Sequence, residues 1–311
     1  MFNVLICDPI SLSCIEKLKR ENFNVVFKPN ITRESLIEEV KDKDALVVRG
    51  RTKVDVPIID NATKLKVIVR AGVGLDNIDL QYAQIKGIQV YNTPEAVTNA
   101  VAELTICLML SLLRNIPKGN SSLKKGEWIK NLLIGSELRN KTVGILGFGR
   151  IGMEVAKKLK AFECRILCYS RTDKSEIARK IGVEFTNDLD YLLRESDLLT
   201  IHLVLNKETY KFLNRERLAR MKKGSYIINT ARGGIIDEEA LLEFLENGHL
   251  AGAALDVFEY EPPETEIEKK LLRLENVIVT PHIGAQTKEA MEKEGEEVAQ
   301  LLINYFKKIK I

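Results

Sequence analysis

GILGFGRIGMEVAKKLKAF, residues 144–162, is the stretch on which the fold turns. Its glycines Gly147, Gly149 and Gly152 stand in the order G-x-G-x-x-G, directly after the apolar run of KTVGILG (141–147) and at the head of an amphipathic helical pattern. That strand, loop and helix context is what dinucleotide binding requires. The first glycine permits a tight turn, the second admits a pyrophosphate to the backbone, and the third lets the helix lie against the strand. Free N–H groups and the helix dipole then hold the negative charge. The plainer alternative is a tight turn with no ligand.

Downstream of the loop, apolar runs recur at RILCYS (165–170), DLLTIHL (197–203), SYIINT (225–230), AGAALDVF (251–258) and NVIVTPH (276–282). Six strands in one series predict a doubly wound sheet of Rossmann type. Upstream, NVLIC (3–7), VVF (25–27), ALVV (45–48), KVIV (66–69) and IQVY (88–91) alternate with segments such as LSCIEKLKREN, which predicts a second parallel sheet covered on both faces. The expected fold class is therefore α/β: two doubly wound parallel-sheet domains, a Rossmann dinucleotide-binding domain and a flavodoxin-like substrate domain. Between them, PEAVTNAVAELTICLMLSLLRNIP (94–117) reads as one long apolar helix with Ala100, Leu104, Cys107, Leu108 and Leu112 at helical spacing. It is too apolar for a surface linker, so it is expected to cross between domains or to pack against another subunit. A last helical segment, 286–308, is expected to return to the first domain. The expected division is residues 1–95 plus 283–311 for the substrate domain and 96–282 for the dinucleotide-binding domain.

The totals agree with two globular cores: 311 residues, 45% of them hydrophobic. Lys plus Arg (47) nearly balances Asp plus Glu (44), giving a net charge of +3 with both signs interspersed, which disfavours a nucleic-acid partner. MFNVLICDPI lacks the features of a signal peptide, and no apolar stretch reaches the roughly 18 residues of a membrane span, so a cytoplasmic protein with no membrane partner is expected. Five cysteines (Cys7, Cys14, Cys107, Cys164, Cys168) without CxxC spacing argue against a disulfide framework or a metal site and read as packing residues.

Beyond the glycine loop, the end of the second strand is where an NAD site carries an acidic residue for the ribose hydroxyls. This chain has Ser170 and Arg171 there, which favours a 2′-phosphate and hence NADP; the alternative leaves Arg171 in solvent, with Asp173 or backbone groups on the ribose. Three further groups follow later strands: Arg232 after SYIINTA, Glu261 after AALDVFEY and His282 after NVIVTP. Their types suit hydride transfer to a 2-keto acid. A histidine exchanges a proton with the carbonyl oxygen, a carboxylate orients it and stabilises the imidazolium, and an arginine binds the substrate carboxylate bidentately. Singly, each has a plainer reading: Arg232 capping a helix or pairing with Asp237, Glu261 solvated in EYEPPETE, His282 a turn residue. His202 ends a strand and stands near the expected cofactor, whereas His249 reads as a surface residue at a helix end.

Taken together, GFGRIG, NTARGGIIDEEAL, ALDVFEYEPP and TPHIGAQT resemble, in order and over nearly the whole chain, the D-isomer-specific 2-hydroxy-acid dehydrogenases. The resemblance implies that Arg232 binds substrate, that Glu261 orients the acid/base and that His282 is the acid/base. It implies cofactor contacts at Arg150, Ile151, position 170, the backbone of Leu203, Thr230, Ala231, Asp256, Gly284 and Ala285, and a homodimer built around the long helix. The chain departs from the family at Ser170, where an acidic residue is usual, and at Val204, where a proline is usual. The cofactor implied is NAD by family and NADP by Ser170 and Arg171.

Within the family, VVRGRTKVD (47–55) and VIVRAGVGLDNID (67–79) look most like 3-phosphoglycerate dehydrogenases, which implies Arg49, Arg51 and Arg70 near a substrate phosphate. The nest Ala71, Gly72, Val73 and Gly74 would hold the carboxylate together with Arg232. By contrast, YNTPEAVTNAVAEL (91–104) and YSRTDK (169–174) look more like glyoxylate and hydroxypyruvate reductases. The expected activity is oxidation of 3-phospho-D-glycerate in serine synthesis, with reduction of glyoxylate or hydroxypyruvate as the alternative. A dinucleotide-sensing binding protein similar to C-terminal-binding corepressors is the alternative from another class. Because the sequence ends just after the last helical segment, no C-terminal regulatory module is expected.

Overall fold

The structure, a computed structural model, describes residues 1–309 and divides into two compact units, Met1–Val97 with Ala285–Ile311, and Thr98–Gly284. The first unit holds strands β1 (Phe2–Ile6), β2 (Phe23–Phe27), β3 (Ala45–Val48), β4 (Val67–Arg70) and β5 (Gln89–Asn92), all parallel, in the order β2-β1-β3-β4-β5. Side chains alternate across this sheet with the strand period of two. Val4, Ile6, Val47 and Val69 face the helices Leu12–Arg20 and Lys288–Ile309 through Leu18, Val298, Leu302 and Phe306, while Leu5, Leu46 and Ile68 face the opposite layer through Leu36, Ile58 and Ala83. Burial on both faces explains why these strands read as continuous apolar runs. The terminal helix packs on the sheet of the first unit.

The second unit holds β6 (Thr142–Leu146), β7 (Arg165–Tyr169), β8 (Glu184–Thr186), β9 (Leu198–Ile201), β10 (Ser225–Asn229), β11 (Leu250–Leu255) and β12 (Val277–Val279), in the order β12-β11-β10-β9-β6-β7-β8. This is the doubly wound Rossmann order with one strand added at the edge. The sheet has seven strands, one more than the sequence pattern yields. The missed strand, β8, is a three-residue edge strand with Glu184 exposed and Phe185 half-buried, so no apolar run announces it.

The stretch 94–117 is not one helix. A helix spans Thr98–Leu113, the chain turns at Asn115 (φ 53°), and a second helix spans Ile116–Lys124. The first helix packs within its own unit: Ala102, Ile106, Met109 and Leu113 share a core with Val155, Ala156 and Leu159 of the helix Arg150–Leu159. That packing places Cys107 on the exposed face. Among the described residues, no single helix is long and apolar enough to cross a membrane.

Candidate active site

The glycine loop leaves β6 beside β9, where the strand order of the second sheet reverses. Gly147 has φ 103°, and a Cβ there would stand 2.6 Å from the His202 carbonyl. A Cβ on Gly152 would stand 2.2 Å from the Gly147 carbonyl oxygen, so this glycine lets the helix close on the strand. Gly149 differs. It has open space within 4 Å of its Cβ position and caps the helix Arg150–Leu159 with no side-chain bond of its own. Space at the second glycine, with a helix N-terminus behind it, fits a pyrophosphate.

Around the loop stand other expected cofactor residues. The His202 backbone N–H donates to Leu146 and its Nε2 lies 3.0 Å from Thr200 Oγ1. Burial pushes the imidazole down to about 3, so it stays neutral at physiological pH. Leu203 follows it and is half-buried. Ser170 and Arg171 lie just past β7, where Arg171 pairs with Glu208 and the Ser170 hydroxyl is 3.5 Å from Thr172. Asp173 caps the following turn through the Ser175 N–H at 2.8 Å. Arg150 and Ile151 form the first turn of the loop's helix. Thr230 is buried against the Thr105 hydroxyl at 2.9 Å.

The histidine–glutamate pair is built by two loops. His282 sits three residues beyond β12 in a left-handed conformation, φ 51°, which is uncommon for a residue with a side chain and has to be held. Asp256, just past β11, holds it. Its carbonyl accepts the His282 N–H at 2.8 Å, and its carboxylate accepts from the Thr280 hydroxyl (2.6 Å), the Ile283 N–H (2.8 Å) and the Gly284 N–H (2.9 Å). Burial raises the Asp256 pKa, and these three bonds oppose the rise. The expectation put Asp256 near the cofactor; in the structure both its carboxylate oxygens hold the turn that carries His282. That turn leaves His282 Nδ1 2.7 Å from Glu261 Oε2. With Nδ1 donating to the carboxylate, Nε2 is the ring nitrogen that such an arrangement can use for proton exchange.

Arg232 follows β10 after a turn shaped by Asn229, whose amide donates to the Arg232 carbonyl (2.8 Å) and whose oxygen accepts the Ala231 N–H (3.0 Å). Asp237 pairs with Lys211 at 3.7 Å. Gly233 then lies flat against the loop bearing Glu261, where a Cβ would stand 1.9 Å from the Phe258 carbonyl carbon. Arginine turn and glutamate loop are thus in backbone contact.

In the first unit, Arg49, Arg51 and Arg70 stand at or just past the carboxyl ends of β3 and β4. Arg51 is engaged by its own fold: its guanidinium donates to Asp8 Oδ1 (3.1 Å) and to the carbonyls of Cys7 (2.8 Å), Pro29 (3.1 Å) and Ile31 (3.2 Å). Arg49 pairs at 2.9 Å with Glu294, a buried carboxylate on the terminal helix; burial raises the Glu294 pKa, and Arg49 and Arg70 oppose the rise. Arg70 lies across Gly72, where a Cβ would meet its guanidinium at 1.5 Å. The Gly72 N–H donates to Thr93 Oγ1 at 2.7 Å, so the expected nest narrows to Val73 and Gly74. Ala285 belongs to this unit and Gly284 to the other.

Sequence reasoning missed Asp8, Asn229 and Glu294. All three act on expected site residues through hydrogen bonds or ion pairs that no motif spells out.

A Rossmann unit that joins an arginine turn to a glutamate–histidine pair defines a dinucleotide-binding oxidoreductase frame. The chain belongs to the D-isomer-specific 2-hydroxyacid dehydrogenase family, whose NAD binding domain matches residues 106–284. It is 47% identical over 300 residues to a D-3-phosphoglycerate dehydrogenase of Methanocaldococcus jannaschii, covering 96% of this chain and 56% of that one. It is 46% identical over 299 residues to a hydroxypyruvate reductase of Thermotoga maritima, covering 96% of each. The chain thus spans little more than half the length of the phosphoglycerate dehydrogenases it matches. Among solved structures, a D-lactate dehydrogenase of Aquifex aeolicus complexed with NAD and lactic acid superposes with a TM-score of 0.87 at 30% identity, covering 98% of this chain and 95% of that one.

Proposed function

We propose that the protein moves hydride between a D-2-hydroxy acid and a nicotinamide dinucleotide, and that its substrate pair is 3-phospho-D-glycerate and 3-phosphohydroxypyruvate, the entry to serine synthesis. The observation that carries the chemistry is the 2.7 Å contact between Glu261 Oε2 and His282 Nδ1. A bound nicotinamide dinucleotide would supply or accept the hydride, with the loop of Gly147, Gly149 and Gly152 shaped to admit its pyrophosphate at Gly149, Arg150 and Ile151. His282 Nε2 gives a proton to the substrate oxygen in reduction and takes it back in oxidation, while Glu261 fixes the tautomer and stabilises the imidazolium. Arg232 pairs with the substrate carboxylate and draws charge from the neighbouring carbonyl.

The phosphate reading is supported by Arg49 and Arg70 both acting on the buried Glu294 carboxylate, and by the relatives named phosphoglycerate dehydrogenase. One observation favours the second reading, a hydroxypyruvate or glyoxylate reductase: Arg51 is already bound to Asp8 and three carbonyls, and Arg49 to Glu294. For the cofactor, Ser170 and Arg171 favour NADP, provided Arg171 leaves Glu208. A homodimer is supported by exposed apolar residues at Ile116, Leu123, Trp128, Leu132 and Ile134.

The deciding experiment compares kcat/KM for 3-phosphohydroxypyruvate, hydroxypyruvate and glyoxylate, with NADH and again with NADPH. A preference for the phosphorylated substrate of about a hundredfold, roughly 2.7 kcal/mol in the transition state, supports the phosphate reading. Equal rates, or faster glyoxylate reduction, select the second.

A further inference from the structure

Three consecutive backbone amides in the loop after β11 each donate to a different glutamate. The Phe258 N–H donates to Glu261 Oε1 (3.3 Å), the Glu259 N–H to Glu238 Oε1 (2.9 Å), and the Tyr260 N–H to Glu268 Oε1 (2.8 Å). Glu268 does more. Its Oε2 accepts from the Glu264 N–H (2.9 Å), the Thr265 N–H (2.8 Å) and the Thr265 hydroxyl (2.9 Å). A capping box needs only the N-cap amide. Here the same carboxylate reaches back across Glu261 to residue 260, closing the segment 260–268 into a ring. Both glutamates are enclosed, Glu268 fully and Glu238 with 7% of its surface exposed. Tyr210 secures the outer side of the loop, its hydroxyl donating to Glu259 Oε1 at 2.6 Å.

A buried carboxylate without donors is strongly disfavoured, so these bonds hold the glutamates and the loop in one arrangement. Their effect on ionisation differs with the number of donors. Burial would raise the Glu268 pKa, yet its donors hold it below the ordinary value, whereas burial pushes Glu238, with its one backbone bond, up to about 7. Glu261 needs one oxygen on its own loop and the other on His282. Freedom in the loop would break that division.

We propose that Glu238 and Glu268 are positioning residues for the acid/base pair: their buried carboxylates clasp the backbone on both sides of Glu261 and so fix Oε2 against His282 Nδ1. This rests on the function proposed above. Glu268→Gln replaces one accepting oxygen with an NH2 group that faces N–H donors, whereas glutamine at 238 still presents an oxygen to the Glu259 amide.

The test uses the full chain and three readouts: hydrogen exchange of the 258–265 amides, NADH affinity, and kcat for hydroxypyruvate reduction. In Glu268→Gln and Glu238→Ala, amide exchange is expected to quicken and kcat to fall about tenfold or more while NADH affinity holds within about twofold, and Glu238→Gln recovers most of the Glu238→Ala loss. In a Glu261→Gln background, the added Glu268→Gln change is expected to lower kcat less than about threefold, because there is no relay left to position. An equal loss with and without Glu261 makes the clasp a folding device and overturns the proposal, as does unchanged exchange or unchanged kcat. A wild-type protein that reduces none of the three keto acids instead overturns the proposed function, and the positioning role falls with it.

Discussion

Gly233→Ala makes a sharp test of how the site is joined. The added Cβ would stand 1.9 Å from the Phe258 carbonyl carbon, 2.2 Å from its oxygen and 2.3 Å from the Glu259 nitrogen, all of them backbone. Ordinary contact begins near 3.4 Å, so the two segments must part by about 1.5 Å (3.4 less 1.9). No side chain can rotate away to relieve this. Overpacking of this kind costs about 1–3 kcal/mol, and a catalytic group displaced by about 1 Å loses about a hundredfold in rate. Because the parting falls between Arg232 and Glu261, the expected result is a kcat for hydroxypyruvate reduction down about a hundredfold, near 2.7 kcal/mol, in a protein that remains folded. The assay is NADH absorbance, with a urea melt on the same preparation. A variant within about threefold of wild-type kcat and unchanged in stability would refute the contact.

Gly149→Ala adds a methyl group into open space, so stability should hold while the Kd for NADH, by fluorescence titration, rises about tenfold, or 1.4 kcal/mol; an unchanged Kd removes the pyrophosphate from this glycine. Arg171→Ala should raise KM for NADPH about tenfold and leave NADH nearly alone, and equal changes for both cofactors would dismiss the 2′-phosphate reading. Glu238 gives a pH signature. Its pKa rises from 4.5 to about 7 in the fold, chiefly through burial, so between those values the folded chain binds a proton the unfolded chain has released. Its contribution is therefore fully present below about pH 4.5 and is lost as pH rises through about 7, roughly 3 kcal/mol at most. His202, held down at about 3 by burial, has the opposite sign, favouring the fold as pH rises through 3 to 6.5. Urea melts of wild type and Glu238→Gln at about pH 5 and pH 8 isolate the glutamate, and parallel pH dependences would show that it does not titrate in this range.

The glycine loop was legible because everything it needs is contiguous: an apolar strand, three glycines and a helix start. Arg232, Glu261 and His282 stood out as residue types after strands, although β12 ends three residues before His282 and β11 six before Glu261, so loops rather than strand ends set their geometry. What holds those loops was not legible. Asp256 acts across 24–28 residues and Glu238 across 21, distances at which no local periodicity points to a partner. Glu268 left one trace, the T-x-x-E spacing from Thr265, which reports a helix cap and says nothing of Tyr260. Arg49 and Arg51 looked like uncommitted cations because Glu294 and Asp8 are 245 and 43 positions away. The break in the apolar stretch 94–117 was not legible, because the composition stays apolar up to Leu113 and the turn at Asn115 (φ 53°) comes just before the expected end at Pro117.

His282 is proposed as the proton-exchanging group, held by Glu261. The most direct measurement is kcat/KM for hydroxypyruvate with NADH in His282→Ala beside wild type, together with the NADH Kd of each. The expected result is a fall in turnover of about two or more orders of magnitude with NADH affinity within about twofold. Turnover within about threefold of wild type would contradict it, since the proton would then be coming from elsewhere.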